Sequence, residues 1–197
     1  VRHPEPDDAA LVRRVQLQAD RQAFALLVRR HQGRVRSLLR RLTGGREAWA
    51  DELAQETFLQ AWRALPGFRG EAGFATWLYR LASNEFLQQQ RRGDQRLQAR
   101  STPWEDPADD ADPSAADAQG VVAQEGLRQD LQRALEGLGE AERLALLLCD
   151  VAGCSHAEAA QALGAPLGTV KSQVLRARTK LKQALADWAP PRMESMA

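Results

Sequence analysis

Two cysteines, Cys149 and Cys154, are too few for a disulfide framework. No stretch approaches the roughly 18 consecutive apolar residues of a membrane span. The opening residues, VRHPEPDDAALVRR, hold no apolar core and no small-residue cleavage site, so they do not read as a secretion signal. The expectation is a cytoplasmic protein without membrane insertion. Catalytic patterns are missing too. There is no glycine-rich phosphate loop, and no Ser/His/Asp or paired-carboxylate arrangement at informative spacing, so no enzyme is expected. His3, His31 and His156 are scattered, and CDVAGC is not a zinc-pair spacing, so neither a metal nor a cofactor is expected. Cys154 reads instead as a buried thiol, because free cysteine packs as a small hydrophobe.

Strand-like alternation of useful length is also lacking. Helical periodicity is present throughout, and the expected fold is all-α: two small helical domains joined by an acidic flexible linker, the second a helix-turn-helix. A chain of 197 residues with 44% hydrophobic content suffices for that. The net charge of +1 conceals a pattern. Residues 31–100 carry twelve Arg against seven acids; residues 101–130 carry one Arg against eight acids. Of the eight bases after residue 130, five fall between Lys171 and Lys182. Two polyanion-facing parts with an acidic strap between them give this layout, and so does ordinary solvated charge. The strap STPWEDPADDADPSAADAQG has three prolines and almost no large apolar residue, so it cannot offset its ordering entropy. The expected division is residues 8–97, a linker over 98–123, and residues 124–187.

In the first part Phe24, Leu27, Val28, His31, Val35, Leu38, Leu39 and Leu42 recur at helical spacing, with His31 a partly buried member of the stripe. Gly44-Gly45 ends that helix. A second helix is predicted from about Glu47 to Leu65, stopped by Pro66-Gly67. A third is predicted from about Phe74 to Arg92, with Arg80, Asn84, Leu87 and Arg91 on its outer face. In the second part Leu127, Leu131, Leu135 and Leu138 mark one helix, and Leu144 to Val151 the next. Ser155 and Glu158 make a capping box for a third, which ends at Leu163-Gly164. A short turn then enters a fourth helix, about Leu167 to Ala186, completing a helix-turn-helix.

That last helix gathers Val170, Val174, Ala177, Leu181 and Leu185 on one stripe and Lys171, Ser172, Leu175, Arg176, Thr179 and Lys182 on the opposite side. Lys, Arg and Ser can address base edges in a major groove, and Leu175 fits a thymine methyl. Thr169 stands at the helix start, and Arg178 and Lys180 flank the stripe as phosphate contacts. The first part sets Phe68, Trp77 and Tyr79 among Arg69, Arg80, Arg91 and Arg92. Rings stack on exposed bases while Arg holds phosphates, a single-strand arrangement; simple core filling by Trp77 is the competing explanation.

The string DELAQETFLQAWRALPGFRGEAGFATWLYRLASN (51–84) resembles the most characteristic segment of the sigma-70 family. ALEGLGEAERLALLLCDVAGCSHAEAAQALGAPLGTVKSQVLRARTKL (134–181) resembles that family's C-terminal promoter-reading domain. The short two-domain layout is similar to the extracytoplasmic-function group, group IV. The resemblance implies a region 2-like domain, a region 4-like domain, and a factor that brings core RNA polymerase to promoter DNA and helps open it. It implies that Asp51, Glu52, Gln55, Glu56 and Leu59 dock on polymerase. It implies that Phe68 to Arg92 captures the single-stranded −10 element, with Asn84 on a flipped base and Phe68 lining the pocket, and that the Lys171–Arg176 helix reads the duplex −35 element. It also implies an anti-sigma partner. Departures exist: Ser83 and Gln88 stand where Arg and Asp are frequent, and Gln173 replaces a frequent Arg, which removes about one unit of salt slope if a phosphate contact is lost.

The alternative is a free-standing helix-turn-helix regulator, whose first half would sense or dimerise. Residues 51–84 weigh against it, because a sensor does not need an acidic helix followed by an Arg–aromatic loop. A pure interaction module would need no basic recognition helix.

Overall fold

The computed structural model describes residues 6–99 and 118–186, and every regular element among them is helical. The first half holds α1 (Asp8–Gln18), α2 (Arg21–Leu42), α3 (Glu47–Ala64), a single 3-10 turn (Leu65–Gly67) and α4 (Phe74–Ala99). The second half holds α5 (Ala118–Glu136), α6 (Glu140–Asp150), α7 (His156–Leu163) and α8 (Leu167–Ala184). The all-α expectation holds. Of the expected linker, residues 100–117 lie outside the described residues, and α5 already begins at Ala118.

Sequence chemistry sets the helix ends. The Asp7 carboxylate accepts from the Ala10 N–H at 2.8 Å and starts α1. Asp20 accepts from Gln22 and Ala23 and starts α2. Between them Ala19 takes a left-handed φ of 49°, so the chain reverses within two residues. Gly44 and Gly45, both at positive φ, follow α2 as the sequence predicts. In the second half Ser155 accepts from Glu158 N–H while the Glu158 carboxylate returns to Ser155 N–H at 2.8 Å, which is the predicted capping box. Gly164 ends α7 in the left-handed region and turns the chain toward α8.

Leu27, Leu38 and Leu39 of α2 pack fully buried against Leu53 of α3 and Leu78 of α4. Each contributes about 1.5–3 kcal/mol of transfer free energy. Helix α1 adds Leu11, Val12 and Val15, a helix that the sequence reading did not separate out. In the second half Leu144 to Leu148 of α6 meet Val170, Val174 and Ala177 of α8, the predicted inner stripe.

The halves also touch. Helix α7 lies on α4, and α6 on α2. The Tyr79 hydroxyl donates to the Ala152 carbonyl at 3.3 Å, and the Arg143 guanidinium carbon lies 5.8 Å from the Phe86 ring centre. Helix α4 therefore buries Thr76, Tyr79 and Ser83 in addition to its inner stripe of Phe74, Leu78, Ala82 and Glu85, and it runs on to Ala99 rather than ending near Arg92.

Candidate nucleic-acid interface

Three surfaces carry the sequence-predicted residues. The first is α3. Asp51, Glu52, Gln55 and Leu59 are exposed and Glu56 is half-buried, one stripe on the face away from Leu53 and Ala61. Leu59 is 43% exposed, an apolar side chain in an otherwise polar row. Asp51 receives two hydrogen bonds from Arg36 of α2, at 2.8 and 2.6 Å, which tie that end of the stripe to α2.

The second surface runs from the loop after α3 along α4. Phe68 and Trp77 are half-buried with ring centres 4.9 Å apart, and Phe74 packs on both. Each ring is thus part in the core and part in solvent. Arg69, Arg80, Asn84, Arg91 and Arg92 are exposed. Among the described residues Arg69 reaches only Glu71, at 4.0 Å. Arg80, Asn84, Arg91 and Arg92 make no side-chain hydrogen bond or ion pair among the described residues. An open cleft of about 410 Å³ lies between Phe68, Arg69, Trp77 and Arg80 on one side and Gln161 and Ala162 of α7 on the other. Tyr79 requires a correction. Its place among exposed aromatics was expected, yet it is 2% exposed and points at the second half instead. Burial, with the nearby Cys154 thiol, pushes its phenol above the ordinary value.

The third surface is α8. Thr169, Lys171, Leu175, Arg176, Arg178 and Lys180 are exposed and Ser172 is half-buried. Leu175 is 68% exposed, so the apolar residue on the basic face is a surface group and not core. The Ser172 hydroxyl donates to Thr169 O at 2.8 Å and the Thr179 hydroxyl to Leu175 O at 2.9 Å, so both are turned back on their own helix. The cations divide in two. Glu142 of α6 accepts from Lys180 at 2.7 Å and from Arg176 at 3.2 Å, and Lys180 first, then Arg176, hold its carboxyl below the ordinary range. Asp150 accepts from Arg178 at 2.6 Å. Lys171, nearest the helix start, has no such tie among the described residues.

Sequence reasoning missed Glu142, Asp150 and the α1 residue Gln16. Gln16 Nε2 donates to the carbonyls of Leu65, at 3.1 Å, and Phe68, at 2.8 Å. It did find the nature of Cys154: the thiol is buried, and burial pushes it up to about 12, a neutral packing group.

Both halves of the chain resemble known proteins. Residues 27–96 match the family model for Sigma-70 region 2, and residues 128–181 match that for Sigma-70, region 4. The chain is 37% identical over 175 residues to the ECF RNA polymerase sigma-E factor of Escherichia coli (strain K12), covering 87% of this chain and 90% of that one. It is 35% identical over 184 residues to the ECF RNA polymerase sigma factor SigE of Mycolicibacterium smegmatis, covering 92% of this chain and 69% of that one. Among solved structures it is similar to the sigma factor RpoE in complex with the anti-sigma factor NepR from Bartonella quintana. The TM-score is 0.68 at 26% identity, over 84% of this chain and 98% of that one.

Proposed function

Because the chain belongs to the sigma-70 family, as an RNA polymerase sigma factor of the extracytoplasmic-function type, we propose that its two halves read two elements of one promoter. It is a transcription initiation factor that binds core RNA polymerase and promoter DNA. We place it in group IV of the family and in the cytoplasm, where polymerase works, and assign it an anti-sigma partner. The RpoE structure, a complex with NepR, supports that last assignment.

The division of labour follows the three surfaces. The exposed α3 stripe from Asp51 to Leu59 docks on polymerase. Lys171, Ser172, Leu175 and Arg176, with Thr169, lie in the major groove at −35, and Arg178 and Lys180 hold phosphates beside it. The Phe68–Arg92 surface takes the −10 strand once it is unpaired. Asn84 has an amide donor and a carbonyl acceptor for one base edge, Phe68 and Trp77 supply ring faces, and Arg69, Arg80, Arg91 and Arg92 supply charge. The protein breaks no covalent bond; it traps bases that have left the stack, and that binding free energy drives opening.

The spacing adds a step. Elements centred about 25 base pairs apart lie about 85 Å apart on straight duplex, at 3.4 Å per base pair. A compact globule of this length has a radius of gyration of about 16 Å. Both elements are therefore engaged only after α7 leaves α4 and the Tyr79–Ala152 hydrogen bond opens.

The observation that carries the reading is the outward exposure, on one chain, of two unlike surfaces: Asn84 with arginines that have no partner among the described residues, and Lys171–Leu175 on a helix-turn-helix. The test is transcription of genomic DNA by core polymerase with and without the protein, with transcript starts mapped. New starts sharing two sequence elements are expected. An unchanged start map would sink the reading.

A further inference from the structure

The loop that carries Phe68 has little of its own to hold it. It leaves the 3-10 turn at Gly67, passes Arg69, Gly70 and Glu71 at full exposure, and enters α4 at Phe74. Gly70 sits at φ 72°, and only one backbone hydrogen bond, Phe68 N–H to Leu65 O at 3.1 Å, closes the turn. A pocket that captures a base needs its walls fixed beforehand, because ordering a loop during capture subtracts from the binding free energy.

Helix α1 fixes it from outside. The Gln16 carboxamide donates both hydrogens, one to Leu65 O and one to Phe68 O, so a single side chain spans the turn and pins the residue at the mouth of the loop. The same helix reaches the aromatic cluster by a second route. Asp8 accepts from His31 Nε2 at 2.7 Å; the His31 ring meets Phe74 edge-on at 5.3 Å, and Phe74 packs on Phe68 and Trp77. Arg30 also donates to Asp8, at 2.6 Å, holding α1 on α2. Gln16 and Asp8 both precede the residues matched by the region 2 family model, which begin at residue 27.

We propose that Gln16 is a positioning residue for promoter opening: from α1 it sets the Phe68 wall of the −10 pocket before any base arrives. This rests on the −10 role proposed for Phe68. Gln16 touches no DNA; it acts through the Leu65 and Phe68 carbonyls. Its contribution falls on the step that turns bound duplex into an open bubble, and not on polymerase binding.

The test uses the full chain with core polymerase on a promoter fragment taken from the mapped starts. One form of the fragment is fully paired, and the other carries a mismatched, already unpaired −10 segment. Gln16→Glu keeps the shape but replaces the donor with a third oxygen facing two carbonyls. Permanganate reactivity of unpaired thymines on the paired fragment is expected to fall about tenfold, equivalent to about 1.4 kcal/mol. Transcription from the unpaired fragment, which needs no opening, should fall by less, and affinity for core polymerase should stay within about twofold of wild type, a difference of about 0.4 kcal/mol. Gln16→Lys, which keeps a donor at similar reach, should recover most of the opening. Wild-type opening by Gln16→Glu overturns the proposal, as does equal loss on both fragments and in core binding, since that marks a purely structural role. Failure of Gln16→Lys to recover anything also overturns it. A wild-type chain that supports no promoter-dependent start removes the functional reading and this proposal with it, whereas a defect missing only from Gln16→Glu removes the brace alone.

Discussion

The outward face of α4 and that of α8 handle most of their positive charge in opposite ways. In the first, Arg80 stands beside the half-buried rings of Phe68 and Trp77, Arg91 and Arg92 lie further along the helix, and none has an acid drawn against it among the described residues. In the second, Glu142 and Asp150 already hold Arg176, Lys180 and Arg178. A duplex phosphate row is a regular, high-density polyanion, and a cation can exchange an intramolecular carboxylate for it at little net cost. An unpaired strand is floppier and less dense in charge, and it is held by ring faces plus cations that need not first break another contact. The contrast teaches that a basic face is not uniform: what its acids do decides which strand geometry it suits.

The largest expected effect tests whether the halves are separate at all. Leu53→Ala empties a fully buried site in the first half and should cost about 2–5 kcal/mol. Trp49, Trp62 and Trp77 report that half, once Trp104 and Trp188 are replaced by Phe. In urea unfolding, Leu53→Ala should move the fluorescence transition strongly. Leu148→Ala, its fully buried counterpart in α6, should leave that transition in place and move only a second, far-UV signal. Equal movement for both would mean one cooperative unit, and the seam at Tyr79 would then be as strong as either core.

Next comes the recognition chemistry. Phe68→Ala should weaken capture of an unpaired −10 strand by about 1–3 kcal/mol without altering binding to the −35 duplex. Lys171→Ala should do the reverse, costing about 1–3 kcal/mol at one −35 position if it pairs with a base edge. Asn84→Ala should alter −10 choice while leaving polymerase affinity intact. Competition binding with single-position sequence variants separates these outcomes. If Phe68→Ala and Lys171→Ala weakened both elements alike, the two-surface comparison would collapse.

The tied cations sharpen it further. Arg91→Ala should lower the salt slope of single-strand binding by about 0.7. Arg178→Ala should lower the duplex slope by less than about 0.9, because Asp150 already neutralises part of that charge. Glu142→Gln should strengthen duplex binding a few-fold and leave single-strand binding unchanged, since it frees Arg176 and Lys180 together. No gain from Glu142→Gln would mean that those two cations do not face DNA.

These contrasts also mark what the amino-acid string shows and what it hides. Helical periodicity placed the α8 stripe of Val170, Val174 and Ala177 and the α2 stripe from Leu27 to Leu42, because each is set within one helix. Capping chemistry placed Ser155–Glu158 for the same reason: its partners are three residues apart. Gln16 with Phe68, Tyr79 with Ala152, and Arg176 with Glu142 lie 52, 73 and 34 residues apart. A helical wheel says which side of α4 is apolar but not that α7 will cover Tyr79, so a tyrosine among arginines read as a stacking surface. Helix α1 escaped for a related reason. Its apolar set, Leu11, Val12 and Val15, is short, and its exposed Leu17 blurs the period.

Acid separates the halves by the smallest margin. Asp20, the cap of α2, is held below 3.8, mainly by the Ala23 N–H and then by Arg14. In the second half Glu158 is held below 4.5, mainly by the Ser155 N–H and hydroxyl, and Glu142 below 4.5 by Lys180 and Arg176. A carboxyl whose folded value is depressed stabilises the fold fully above its unfolded value, and the contribution disappears as pH falls through the folded one. Stability should therefore be flat well above 4.5. The helix-turn-helix half should begin to weaken below 4.5, and the α2 cap only below 3.8. Ser155→Ala removes the hydroxyl half of the box and should cost about 1 kcal/mol at neutral pH. Glu158→Gln should flatten the acid limb of the second half while leaving the first unchanged, read by far-UV circular dichroism against the Trp49–Trp62–Trp77 fluorescence. If both signals weakened together from the same pH in wild type and in Glu158→Gln, the carboxylates would be acting on the whole protein and not on the helix ends that hold them.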